Sequence, residues 1–132
     1  MKNQPITEKS VLIVEDDFDL LWMIQKLLTL NGIPCLTAVT AAQGIEAFSR
    51  HYENICAVVL DLTLPDQEGE LLAREFLEIS PDLPIIVTTG SEDREQQRQL
   101  EKLGVFAYLI KPFDLTQLVN TLKQTHTFRT AE

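Results

Sequence analysis

Five times along the chain, a short apolar run of strand length is followed by a segment patterned for a helix, and this alternation restricts the fold more than any other feature. Residues 11–14 (VLIV) form the first apolar run. The segment from Asp17 or Phe18 to about Leu30 carries Leu20, Ile24, Leu27 and Leu28 on one helical face, with Asn31-Gly32 as a stop. A second strand is expected over residues 33–39. Thr40 to Gln43 then reads as a capping box opening a helix to about His51. Residues 55–60 (ICAVVL) are apolar throughout, as expected of a strand covered on both faces. A loop over residues 61–68 leads to a helix over 70–79, which Ser80-Pro81-Asp82-Leu83-Pro84 breaks. The pattern then predicts a strand over 85–88, a polar helix over 91–103, a strand over 105–110 and a last helix over 114–123. That last helix carries Leu115, Leu118, Val119 and Leu122 at helical spacing, behind a cap-like Asp114 to Gln117 box.

Repeated βα units demand a parallel sheet with helices on both faces, and right-handed crossovers restrict it to doubly wound forms. The expectation is an α/β fold with five parallel strands and five helices, the common five-stranded order being 2-1-3-4-5. A length of 132 residues suits one domain with one core. Its expected extent is residues 11–124, between a flexible N-terminal segment (1–10) and a C-terminal tail (125–132).

Charge and composition remove several classes of function. With 20 acidic against 11 basic residues the net charge is −9, which repels phosphate backbones and argues against direct nucleic-acid binding. No apolar run approaches the ~20 residues of a membrane helix, and residues 1–10 lack a signal-peptide core. A cytoplasmic location is therefore expected. Cys35 and Cys56 lie in apolar strand-like surroundings without CxxC spacing and read as core hydrophobes.

The chemistry gathers where such a fold places its ligands, beyond the carboxyl ends of strands 1 and 3. Strand 1 runs out into Glu15-Asp16-Asp17, strand 3 into Asp61, strand 4 into Thr88-Thr89-Gly90 and strand 5 into Lys111-Pro112. Two carboxylates ~4 Å apart repel by roughly 4 kcal/mol at an effective dielectric of 20. Either one stays protonated or a cation sits between them. Oxygen ligands with room for water suit Mg²⁺, which recruits phosphoryl oxygens, and a lone ammonium beside them can contact the same group. These residue types point to phosphoryl chemistry.

Four segments, VLIVEDD (11–17), VVLDLTLPD (58–66), IIVTTG (85–90) and AYLIKPF (107–113), resemble the motifs of the response-regulator receiver family, in order and at its separations. The resemblance covers about Val11 to Lys123 and implies a flavodoxin-like fold. It implies that Asp61 accepts a phosphoryl group from a histidine kinase or histidine phosphotransfer protein. Asp16 would then ligate Mg²⁺ (or Mn²⁺) directly and Glu15 through water, with the Thr63 backbone carbonyl and Asp61 completing the protein ligands. Thr89 matches the switch hydroxyl, Tyr108 the switch aromatic, and Lys111 the phosphoryl-contacting lysine before a cis-Pro112. A downstream effector would bind helix 4, strand 5 and helix 5, a face through which a homodimer could also form. Self-catalysed phosphotransfer and autodephosphorylation, rather than turnover of a small substrate, are expected. The weakly apolar segment 91–103, with only Leu100 and Leu103 to bury, suits a mobile output surface.

Other residues have plainer explanations. Asp17 suits a helix N-cap, Thr88 a strand interior, Gly90 a turn, and His51 a helix C-terminus. Trp22 reads as packing or surface of the first helix, and His126 falls in the tail. The main rival function is a haloacid-dehalogenase-like phosphatase, which also uses an aspartate nucleophile and Mg²⁺. Its DxD signature sits on the first strand, whereas Asp61-Leu62-Thr63 follows the third and lacks the second acid.

Overall fold

The computed structural model describes residues 9–125. Its elements are β1 (Ser10–Val14), α1 (Phe18–Leu30), β2 (Cys35–Ala38), α2 (Ala41–His51), β3 (Ile55–Asp61), α3 (Gly69–Ile79), β4 (Ile85–Thr89), α4 (Arg94–Leu103), β5 (Ala107–Ile110) and α5 (Leu115–Lys123). A single 3₁₀ turn, Tyr52–Asn54, joins α2 to β3. All pairings between neighbouring strands are parallel, in the order β2-β1-β3-β4-β5. The expected topology is the observed one.

Strand periodicity divides the interior into two cores. Leu12, Val14, Val58, Leu60, Ile85 and Val87 face α2, α3 and α4, where Phe48, Phe76 and Leu100 are buried. Phe48 and Phe76 stack with ring centroids 4.4 Å apart, which locks α2 against α3. Val11, Ile13, Ala57, Val59, Ile86 and Leu109 face α1 and α5, against Leu21, Ile24, Leu28, Leu118 and Leu122. Because both faces are covered, β1 and β3 are buried at every residue.

Several boundaries differ from expectation, each for a local reason. Ser10, placed in the N-terminal segment, opens β1 and pairs with Ile55. The rest of that segment, residues 1–8, lies outside the described residues, as do residues 126–132 with His126. Strand β2 is shorter than 33–39, because it pairs only with β1 over Cys35–Ala38. Helix α4 begins at Arg94 rather than at residue 91: the Asp93 carboxylate accepts from the Glu95 and Gln96 amides and so takes the N-cap. Thr40 caps α2 by accepting from the Gln43 amide, while the Gln43 side chain accepts from the Val39 amide, one residue before the usual partner in a capping box. On α1 the buried residues include Leu21, which the expected face omitted; Leu20 and Leu27 are only partly covered.

Candidate phosphoryl and metal site

The site stands at the carboxyl edge of the sheet, where the strand order reverses between β1 and β3. Val14 ends β1, and the Glu15 amide donates to the Ala38 carbonyl at 3.0 Å, so the chain leaves the sheet only after Glu15 is placed. The next turn is closed by the Asp17 amide donating to Glu15 Oε2 (3.0 Å) and by Asp17 capping α1 through the Asp19 and Leu20 amides. Glu15 thus lies buried while Asp16 projects outward. Asp61 ends β3, and its Oδ1 accepts from the Thr63 amide at 3.0 Å. Carboxylate oxygens of Glu15, Asp16 and Asp61 all lie within 4.8 Å of one another.

Lys111 enters from β5, positioned by its own amide donating to the Thr89 carbonyl at 2.6 Å and followed by a cis bond to Pro112. Its Nζ lies 3.1 Å from Glu15 Oε1 and 3.5 Å from Asp61 Oδ2. Burial alone would depress the Lys111 pKa, but the Glu15 and Asp61 carboxylates outweigh it and raise it. One ammonium therefore pairs with two of the cluster's three carboxylates. Burial, reinforced by the Glu15 charge, pushes Asp61 up to about 7 against the opposing pull of the Thr63 amide and Lys111. An all-oxygen donor set with excess negative charge, Glu15 and Asp61 buried and Asp16 exposed, fits a hard divalent cation that keeps some water.

Thr89 is buried at the end of β4 with its hydroxyl accepting from the Ser91 amide at 3.0 Å. Tyr108, half-buried on β5, donates its hydroxyl to the Ser91 carbonyl at 3.4 Å. Both expected switch residues thus meet the backbone of one residue, Ser91, Thr89 at its amide and Tyr108 at its carbonyl, rather than Asp61 directly. Burial and the Asp93 charge raise the Tyr108 pKa. Thr88 is a buried strand residue, as expected, but its Oγ1 has no hydrogen-bond partner. Trp22 is surface, with the Lys26 ammonium 5.8 Å from its ring centre.

Two residues of the site carried no local signal. Gly69 lets α3 start against the acceptor strand: a Cβ there would lie 2.6 Å from Leu62 Cα and 2.7 Å from the Asp61 carbonyl oxygen. Asp66 reaches across to α2, its carboxylate accepting from the Ala41 amide at 2.8 Å and the Ala42 amide at 3.0 Å. These two bonds hold the Asp66 pKa below the ordinary aspartate value. The Asp66 partners are 24 and 25 residues away and the Gly69 approach is set by how the loop folds back on Asp61 and Leu62, so nothing in the neighbouring sequence announces either role.

A 2-1-3-4-5 parallel sheet with an acidic pocket and a fixed ammonium at its switch point is the arrangement expected of a response-regulator receiver. The family model described as "Response regulator receiver domain" matches residues 11–123, and the chain belongs to that family. Among curated relatives, it is 30% identical over 115 residues to the C4-dicarboxylate transport transcriptional regulatory protein DctD of Rhizobium meliloti (strain 1021). It is 28% identical over 109 residues to the DNA-binding transcriptional regulator NtrC of Escherichia coli (strain K12). These alignments cover 87% and 83% of this chain but only 25% and 23% of those proteins, so the chain spans about a quarter of their length. Among solved structures, a response regulator receiver domain protein from Clostridium thermocellum superposes with a TM-score of 0.84 at 28% identity, covering 89% of this chain and 93% of that one. The non-phosphorylated HemR receiver domain from Leptospira biflexa gives 0.85 at 25% identity, covering 95% and 99%. The phosphatase alternative finds no support in these matches.

Proposed function

We propose that Asp61 is the phosphoryl acceptor and that Glu15, Asp16, Asp61 and the Thr63 carbonyl form the Mg²⁺ site of this receiver. The observation that carries the proposal is the convergence of three carboxylates from two strand ends, with Lys111 Nζ within 3.5 Å of Asp61. In the phosphotransfer, an Asp61 carboxylate oxygen forms the new P–O bond as the P–N bond of a partner's phosphohistidine breaks, and the imidazole leaves with the electron pair. Asp61 must be ionised to attack, so the proton favoured by its raised pKa has to leave first. Lys111, already charged, can follow charge onto the phosphoryl oxygens. A divalent ion, when bound, supplies further charge neutralisation on those oxygens.

Thr89 and Tyr108 are proposed as the switch: the Thr89 hydroxyl exchanges the Ser91 amide for the new phosphoryl group, and Tyr108 repacks with the Ser91 segment. Moving such a two-state surface from 1:99 to 99:1 requires ~5.5 kcal/mol of differential interaction. The face of α4, β5 and α5 is the proposed effector surface, and a histidine kinase or histidine phosphotransfer protein the proposed donor. On this proposal the domain carries out its own phosphotransfer and dephosphorylation and turns over no separate substrate. A cytoplasmic location is part of the same proposal.

The test is incubation with acetyl phosphate and intact-mass measurement. Wild type should gain one phosphoryl group only when Mg²⁺ is present, and Asp61→Asn should gain none. Equal labelling of that variant would place the acceptor elsewhere.

A further inference from the structure

We infer that Asp66 is a positioning residue for the metal site, clamping the loop that carries Thr63 to the end of the sheet that carries Glu15 and Asp16. The inference rests on the proposed roles of Asp61 and Thr63. The loop after β3 is fastened at its base by the Leu62 amide donating to the Thr88 carbonyl and the Gly69 amide donating to the Leu62 carbonyl, both at 3.0 Å. Above that base Thr63 pairs with Glu68 in an antiparallel bridge. Residues 64–67 form the tip beyond the bridge. Pro65 there has no amide donor to offer. Gln67 of the tip donates to Glu75 on α3 at 3.4 Å, and the Asp66 carboxylate supplies two shorter bonds, to amides 24 and 25 residues away on α2.

Those amides belong to the first residues of α2, which have no acceptor within the helix. Thr40 already caps the helix through Gln43, so Asp66 adds a second, charge-assisted fastening that spans two elements. Helix α2 is in turn seated on the end of β1. Gly44 lies so close that a Cβ would come within 3.1 Å of Val14 Cγ2, and Val14 immediately precedes Glu15. The chain of contacts therefore runs from Glu15 and Asp16 through Val14 and α2 to Asp66, and from there into the loop bearing Thr63. Asp66 touches none of the reacting groups. It sets the spacing between the two halves of the ligand set.

Isothermal titration of Mg²⁺ into wild type, Asp66→Ala, Asp66→Asn and Thr40→Ala tests this. Groups that hold a metal ligand from outside commonly alter affinity 10–100-fold, so Asp66→Ala should raise the Mg²⁺ Kd about tenfold or more. Asp66→Asn keeps one acceptor oxygen and should fall between the two. Thr40→Ala weakens the same helix end without cutting the clamp, so it should lower the unfolding temperature and leave the Kd at the wild-type value. In metal-free protein the Thr63 amide should exchange with deuterium faster in both Asp66 variants and not in Thr40→Ala. A wild-type protein that binds no Mg²⁺ would refute the metal site itself. Wild-type binding with an unchanged Kd in the Asp66 variants, or an equal shift in Thr40→Ala, would overturn the clamp alone.

Discussion

The Thr88 hydroxyl is buried, sits on the strand position registered with Asp61, and has no hydrogen-bond partner. An unpaired buried hydroxyl costs about 1–3 kcal/mol, and valine has nearly the same shape without that cost. Thr88→Val should therefore stabilise the metal-free protein by about 1–2 kcal/mol, read as a higher denaturant midpoint at unchanged slope. A loss of stability would mean that the hydroxyl is satisfied. The residue scale was also the most legible one for the site. Asp61, Glu15, Asp16 and Lys111 could be placed from the sequence because each stands one or two residues beyond the last apolar residue of a strand, so chain order and sheet order sufficed to bring them together. Asp66 and Gly69 could not. Their roles depend on where a loop tip and a helix start land relative to distant backbone, and no local pattern encodes that.

Among the elements, legibility followed the strength of the local pattern. The both-faces-apolar strands were read to within a residue or two, whereas edge strands β2 and β5, half exposed, were each read as too long. Helix α4 started late because Asp93 out-competed the expected start as a cap. The low apolar content of its segment was nevertheless informative: α4 buries only Leu100 fully, against Leu118, Val119 and Leu122 on α5. Two fewer buried aliphatic side chains, each worth about 1.5–3 kcal/mol, leave less to hold α4 in place. Hydrogen exchange in the metal-free protein should show α4 amides exchanging at least about tenfold faster than those in α5. Protection of α4 equal to that of α5 would remove the argument for a yielding output face.

At the scale of the whole molecule, the site is a stability liability that ligand binding should cancel. Asp61 has a folded pKa of about 7 against an unfolded value near the ordinary aspartate range. Between those values the folded state binds more protons than the unfolded state, so the slope of unfolding free energy with pH is negative. Stability should accordingly fall as pH rises from about 4 to about 7, through this group alone, and level off above. Lys111, with its pKa raised, keeps its charge across that window, and Asp66, with its pKa lowered, titrates below it. At the proposed metal site Mg²⁺ would compete with the proton for the Asp61 carboxylate, so it should bind more tightly at pH 8 than at pH 5.5. At a concentration 100 times its Kd it would add about 2.7 kcal/mol, and at acid pH much less. Thermal unfolding with and without Mg²⁺ at both pH values checks the linkage. The metal-induced rise in Tm should be larger at pH 8, and Asp61→Asn should lose most of the difference between the two pH values. A metal effect independent of pH would show that Asp61 is already ionised in the free protein, held so by Lys111 and the Thr63 amide against its burial.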